Sequence, residues 1–252
     1  MFNLLKNKTS NWDRVAKEYD ELVGDSGDFN HKTYINPVVL GILGNVKNYN
    51  VLDLACGQGY FSKILHSKGA HVVGVDISEK LIEIAEKKFG QVGIKFLVRD
   101  AANMEGVASN QFDFVVCNMS FHDIEHVSET IDEISRVLQI GGKLVFSIPH
   151  PWTHVGETIK EGDGYYLKLK KYRSEFEFEN HLYGEKGIVS YHRPLEYYVK
   201  KLADHRFEIT NFVEISTEHA KGELVQDKDY LNYKKEFPSF LVVGATKNLV
   251  VY

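Results

Sequence analysis

An α/β fold, a parallel sheet with helices packed on its faces, is what this sequence predicts, and three observations carry the expectation. From Val51 onward, short β-branched runs alternate with segments of helical period. The first run, "VLDLA", passes directly into a glycine turn, "CGQGY", that opens a helix. The next two runs, "HVVGVD" and "IKFLVRD", each end on an aspartate. With 252 residues, 43% hydrophobic and 26% charged, the chain can bury one sizeable core, which excludes a disorder-dominated protein.

The elements follow in order. Trp12, Val15, Ala16 and Tyr19 share one helix face, and "NPVVLGIL", with Pro37 in its first turn, predicts a second leading helix. After the strand "VLDLA", a helix buries Phe61, Ile64 and Leu65 and stops at Gly69. After "HVVGVD", Ser78 is placed to cap a helix that has Glu79 at its positive end, Lys87 and Lys88 at its negative end, and Gly90 as its stop. "IKFLVRD" and "FDFVVCN" are the third and fourth strands. Val127, Ile131, Ile134, Val137 and Leu138 then mark a helix closed by Gly141-Gly142, and "KLVFSIPH" is the fifth strand. Beyond His150 the period becomes two: Leu167 and Leu169 alternate with Lys168 and Lys170, and Phe176 and Phe178 with Glu175, Glu177 and Glu179. Those two runs predict an antiparallel hairpin with Lys facing Glu and "GIVSY" as a possible third strand, together a lid. A helix from Pro194 to about Asp204 and the strands "RFEITNFVEI" and "SFLVVGATK" complete the chain. We expect one domain over 1–252, with leading helices in 1–45 and the lid insertion in 151–191.

A formal net charge of −5 offers no broad basic footprint, so nucleic acid is not the expected partner. Two cysteines cannot make a disulfide framework, and "MFNLLKNKTSNW" has too short an apolar run for a signal peptide or anchor. No later run has the length of a membrane span. These features predict a cytoplasmic protein.

A glycine turn at a helix N-terminus first suggests a dinucleotide pyrophosphate. The residues argue otherwise. The third fingerprint position is Ser62 rather than glycine, and Asp53 beside the turn repels a pyrophosphate and attracts a cation. Asp76, about 20 residues on, stands where an acid takes ribose hydroxyls. Asp100, beside the small Ala101, can read the amino group of adenine. Each of these alone reads equally as a turn or a helix cap. On three successive strand ends they describe a cationic amino-acid end, a ribose and an adenine, which together are S-adenosylmethionine.

In "VLDLACGQGYFS", "VVGVDIS", "RDAANM", "FDFVVCNMSFHDI" and "RVLQIGGKLVFSI" the chain resembles the class I S-adenosylmethionine-dependent methyltransferases, from Trp12 to about Lys247. "WDRVAKEYD", His150-Pro151 and His192-Arg193-Pro194-Leu195 are similar to segments of its small-molecule group. The resemblance implies a Rossmann-like seven-stranded sheet with the last strand antiparallel. It implies that Asp53, Gly57 and Gly59 hold the methionine end, with Asn118 through its backbone, and that Ala55 also binds the cofactor. It further implies Asp76 on the ribose, Asp100 and Ala101 on the adenine, Ile77 packed on that ring, and Tyr19 closing over the cofactor. One departure is informative: Asn118-Met119-Ser120-Phe121 lacks the paired prolines common in enzymes that methylate nucleobase or glutamine amino groups.

Such chemistry requires alignment, exclusion of water and, for a protonated nucleophile, a base. His31, His122, His150 and His192 are the candidate bases, each equally readable as a hydrogen-bonded structural histidine. Asp123 is expected to cap the helix after it rather than to orient His122. The pairs His122/His126 and His150/His154 stand four apart, yet without a glutamate or cysteine set no metal is expected. Phe121, Trp152, Tyr166 and Tyr183 are candidate walls of an acceptor pocket. "KLKKYR" reads as a solvated strand face. The expected activity is methyl transfer to nitrogen, oxygen or carbon of a small molecule. The rivals are a tRNA or other macromolecular acceptor, a non-catalytic S-adenosylmethionine-binding protein, and a nicotinamide-dependent oxidoreductase.

Overall fold

The computed structural model describes residues 10–162, 164–181, 187–221 and 228–248. A 3₁₀ turn over Asn11–Arg14 leads into α1 (Ala16–Val23), then α2 (Asn36–Leu43). The alternating part follows: β1 (Asn50–Leu54), α3 (Tyr60–Ser67), β2 (His71–Asp76), α4 (Glu79–Phe89), β3 (Lys95–Val98), β4 (Phe112–Asn118), α5 (Val127–Val137) and β5 (Leu138–Pro149). Four short strands come next: β6 (Gly156–Glu161), β7 (Gly164–Leu169), β8 (Phe176–Asn180) and β9 (Ile188–His192). The chain then returns through α6 (Leu195–Asp204), β10 (Phe207–Ile215), α7 (Lys228–Glu236) and β11 (Phe240–Lys247).

Seven strands form one sheet in the order β10-β11-β5-β4-β1-β2-β3. All neighbours pair in parallel except those of β11, which is antiparallel to both β5 and β10. From β1 the chain builds outward to β2 and β3, then crosses back to β4 and β5. The carboxyl ends of β1 and β4 therefore flank the switch in strand order, where open α/β sheets bind ligands.

The strand period of two divides the core. Val51, Val72, Val116 and Val145 face α2, α3 and α4, where Val39, Leu43, Phe61, Leu65, Ile82 and Phe89 are buried. Leu52, Leu54, Val115, Leu144 and Phe146 face α5 and α6, where Ile131, Ile134, Tyr198 and Leu202 are buried. Asp53 falls on the Val51 face and so points toward α3.

Ser78 caps α4 as expected, accepting from the Leu81 amide, but Gly90 stays right-handed and the chain turns at Gly93 (φ +93°). Leu138 leaves the helical pattern and starts β5, so Gly141-Gly142 lies inside that strand rather than at a helix end. The lid expectation is corrected in its pairing. β7 pairs with β6, opposing Glu157 to Lys168, whereas β8 pairs with β9; the result is two separate hairpins. Helix α7 was not expected, because "KDYLNYKKE" has no apolar stripe. Its Tyr233 is buried, bonded to Thr158 Oγ1 at 2.5 Å and packed on Phe237. Among the described residues, no helix is long and apolar enough to cross a membrane.

Gly59 (φ +85°) has Phe96 only 2.9 Å from where a Cβ would stand, while Gly41 in α2 has nothing within 4 Å. Gly59→Ala is expected to lower stability by about 1–3 kcal/mol. Gly41→Ala is expected to raise it by up to about 1 kcal/mol. Urea unfolding of the two variants checks both signs.

Candidate active site

The turn after β1 is built from left-handed backbone: Ala55 (φ +55°), Gly57 (φ +57°) and Gly59 (φ +85°). Ala55 is half-buried and bears its conformation without the freedom of glycine. Asp53, 1% exposed, accepts from Ser62 Oγ at 2.5 Å. Ser62, the residue that replaces the third glycine, thus supplies a hydroxyl to the buried acid. Burial, opposed by the Ser62 bond and aided by the charge of Asp76, pushes Asp53 up to about 7. Asp76 at the end of β2 accepts from the Gly57 amide at 2.8 Å and the Ser78 amide at 2.9 Å. Burial is the largest influence on it too; those amides oppose it, Asp13 adds its charge, and Asp76 rises to about 6.

The leading segment closes over these acids. Asp13 Oδ1 accepts from Ser78 Oγ at 2.6 Å and the Lys80 amide at 3.1 Å, while Oδ2 takes the Ser10 amide. The Tyr19 ring stands against Gly57, 3.2 Å from where a Cβ would be, and meets Trp12 edge to face at 5.4 Å. Arg14 Nη2 donates to the Gly187 carbonyl at 2.8 Å, reaching the approach to β9. Ile77, between Asp76 and Ser78, is 48% exposed. Asp100 and Ala101 are half-buried beyond β3, and Asp100 Oδ1 accepts from the Ala102 amide.

At the end of β4, Asn118 Nδ2 donates to Asn36 Oδ1 and to Tyr60 Oη, both at 3.1 Å, and its Oδ1 accepts from Ser147 at 2.6 Å. His31 stands edge to face with Tyr60 at 5.4 Å, its Nδ1 2.9 Å from Asp28 Oδ1. The four candidate histidines therefore do not converge. His31 belongs to the Asn118 end. His150 has Glu214 on Nε2 at 2.9 Å and the Trp152 amide on Nδ1, the fully partnered pattern of a structural residue. His122 and His192 lie together under the hairpins, with His154 between them at ring separations of 6.1 and 5.9 Å.

Four further expectations are corrected. Phe121 is fully buried against Phe146 at 4.8 Å, a core side chain rather than a pocket wall. Trp152 is buried and donates to the Pro238 carbonyl, pinning the segment before β11. Tyr166 is 57% exposed on β7, a solvent-facing ring rather than a pocket wall, and Tyr183 lies outside the described residues. Asp123 caps nothing: it bonds Ser190 Oγ at 2.5 Å and lies 3.4 Å from His122 Nε2, while α5 starts after His126 without a side-chain cap. The sequence reading gave no role to Asn36, Tyr60 or Ser147; the last two stand inside quoted motifs, but only the fold brings their side chains to Asn118. Asp13 was visible only inside "WDRVAKEYD". Among the described residues, no three His, Cys, Asp or Glu side chains converge as metal ligands.

The family model for a methyltransferase domain matches residues 52–146. A protein from Haemophilus influenzae of uncharacterised function is 30% identical over 71% of this chain and 74% of its own length. A demethylmenaquinone methyltransferase from Leptospira interrogans is 33% identical over 56% of this chain, a match that spans 61% of that protein. The crystal structure of an S-adenosylmethionine-dependent methyltransferase from Mesorhizobium loti superposes with a TM-score of 0.73 at 23% identity, covering 83% of this chain and 96% of that one. The chain belongs to the class I S-adenosylmethionine-dependent methyltransferases. The nicotinamide alternative is thereby set aside. The residues present fit the methyltransferase's cofactor: a Cβ at Gly57 would fill the cradle, two acids flank it, and an exposed Ile77 offers an apolar face beside Asp76.

The raised acids give this methyltransferase a signed pH response. Between about pH 4 and pH 7 the folded chain keeps an Asp53 proton that the unfolded chain has released, so stability falls as pH rises through that window. Asp53→Asn removes that proton difference. Its urea-unfolding stability is expected to decline less than that of wild type from pH 4 to pH 7.5, and an equal decline contradicts the assignment.

Proposed function

We propose that the chain transfers a methyl group to a small-molecule acceptor by in-line displacement, with the cofactor held over β1 to β3 and the acceptor over β4 and β5. When bound, S-adenosylmethionine supplies an already activated methyl group. Asp53, Ala55, Gly57 and Gly59 would hold its amino-acid end, with Asn118 beside them. Asp76 would hold the ribose, Asp100, Ala101 and Ile77 the adenine, and Tyr19 would cover the whole. The observation that carries this reading is the pairing of two buried acids, Asp53 and Asp76, across one left-handed turn. A cation and a ribose satisfy that arrangement and a pyrophosphate does not.

The chain's own work is to orient the acceptor, exclude water and take a proton where the nucleophile carries one. The hairpins β6-β7 and β8-β9 would serve as the lid. A small acceptor is supported by the acidic balance of the chain, by histidines and aromatic rings rather than a basic groove at the β4 and β5 edge, and by the Leptospira relative named for a small-molecule acceptor. The two cysteines are free and buried, which suits a reducing, cytoplasmic setting.

Calorimetry with S-adenosylmethionine and S-adenosylhomocysteine is expected to show binding of both. Asp76→Ala should weaken it by about 10- to 100-fold or more, the worth of hydrogen bonds to a charged group. Trideuteromethyl-labelled cofactor incubated with a cell extract should place its label in the small-molecule fraction. Label confined to tRNA or protein would establish the macromolecular alternative, and binding without any transfer would establish a sensor.

A further inference from the structure

Three histidines from three separate segments meet beneath the hairpins: His122 after β4, His154 after β5 and His192 at the end of β9. Their rings stand 6.1 and 5.9 Å apart in the order His122, His154, His192. His122 is 7% exposed and His192 is fully buried, and the Nδ1 atom of each of the three is buried without a hydrogen-bond partner. Buried nitrogens are normally paired, so three orphans in one cluster mark a place where a ligand supplies the missing hydrogen.

The tautomer at His192 follows from its surroundings. Its Nε2 lies 2.8 Å from the Tyr172 carbonyl, which can only accept, so Nε2 carries the hydrogen and Nδ1 presents a bare lone pair. His122 repeats the pattern in weaker form, with Nε2 3.4 Å from Asp123 Oδ2. Burial, with Arg193 adding to it, holds His122 down to about 3; burial and the neighbouring imidazoles do the same for His154. His122 and His154 are therefore neutral at rest, and the bare Nδ1 of each histidine accepts hydrogen bonds. Among the described residues, an anionic acceptor would face lone pairs with no uncommitted cation beside them. The nearby Arg193 is committed to the carbonyls of Phe121 and Glu125 and stacked between Tyr191 and Tyr197. Aromatic rings border the cluster: Phe178 at 5.0 Å from His154, and Phe176 at 4.9 Å and Tyr172 at 6.0 Å from His192. Flat apolar walls around bare nitrogens fit a flat ring that brings its own hydroxyl.

We propose that His122, His154 and His192 form the proton-accepting end of the acceptor pocket, with His192 Nδ1 as the base, and that the acceptor is an aromatic hydroxyl compound methylated on oxygen. This rests on the small-molecule reading above. In the step, the hydroxyl proton passes to His192 Nδ1 and an oxygen lone pair forms the new O–CH₃ bond. The electrons of the broken S–CH₃ bond stay on sulfur, which becomes a neutral thioether. The positive charge thereby moves from the sulfonium to the imidazole, and like-charge neighbours restrict the cluster to one proton per turnover.

The test uses the full chain with 4-nitrophenol, whose absorption reports ionisation of its hydroxyl, and 4-nitroanisole, which has no proton to give. Wild type should bind 4-nitrophenol saturably, at least tenfold tighter than 4-nitroanisole, with a shift toward the phenolate spectrum. His192→Gln keeps a donor near the Tyr172 carbonyl while removing the Nδ1 lone pair. It should lose the shift and at least tenfold in affinity, with melting temperature and S-adenosylhomocysteine affinity unchanged. Nitrogen-15 NMR of the histidines in wild type should show His192 protonated on Nε2 alone, a readout independent of any variant's folding. No saturable 4-nitrophenol binding, equal binding of the two probes, an unchanged response in His192→Gln, or a proton on His192 Nδ1 would each overturn the proposal. Failure of wild type to bind S-adenosylhomocysteine would instead fall on the underlying cofactor-site reading.

Discussion

One carboxylate joins the parts of this molecule that matter for its chemistry. Asp76 accepts the amide of Gly57 from the turn after β1 and the amide of Ser78 from the turn after β2. Ser78 in turn caps α4 and gives its hydroxyl to Asp13 of the leading segment. Two strand ends, a helix start and the N-terminal cover are thus registered on a few oxygens. The arrangement has a cost: Asp13, Asp53 and Asp76 are all buried, and burial together with a neighbouring carboxylate holds Asp53 and Asp76 above the usual carboxylate range. In the function we propose, the cationic end of the cofactor offsets that cost when it binds.

The carboxyl edge of the sheet divides into two electrostatic halves. Over β1 and β2 lie the paired acids of the glycine turn; over β4 and β5 lie amides, hydroxyls and imidazoles, with one buried acid, Asp123, bonded by Ser190. In the function we propose, the sulfonium donor takes the half with the paired acids and the acceptor takes the other. Asn118 stands on the boundary, bonded to Ser147 of β5 on one side and to Tyr60 of α3 on the other.

The alternating core was legible because each strand of the parallel sheet is apolar on both faces and each helix has one stripe. The glycine turn was legible because its acid contradicts the ligand such turns usually take. The hairpins were less so: a period of two shows which face of β7 is apolar but not whether β6 or β8 is its partner. Helix α7 buries Tyr233 among its described side chains and has no periodic signal at all. Phe121 and Tyr166 show the limit for single residues, since an aromatic beside a strand end reads alike whether the fold buries it in the core or leaves it in solvent. The histidine cluster lay beyond sequence altogether, because residues 122, 154 and 192 meet only through the return of β9 to the loop after β4, where the Tyr191 amide donates to the His122 carbonyl at 2.7 Å.

The contact between Arg14 and the Gly187 carbonyl reaches from the cover of the cofactor side to the strand that carries His192. One hydrogen bond therefore joins two segments 173 residues apart in the chain, so the placement of Trp12 and Tyr19 against the glycine turn and the placement of β9 are not set independently of each other.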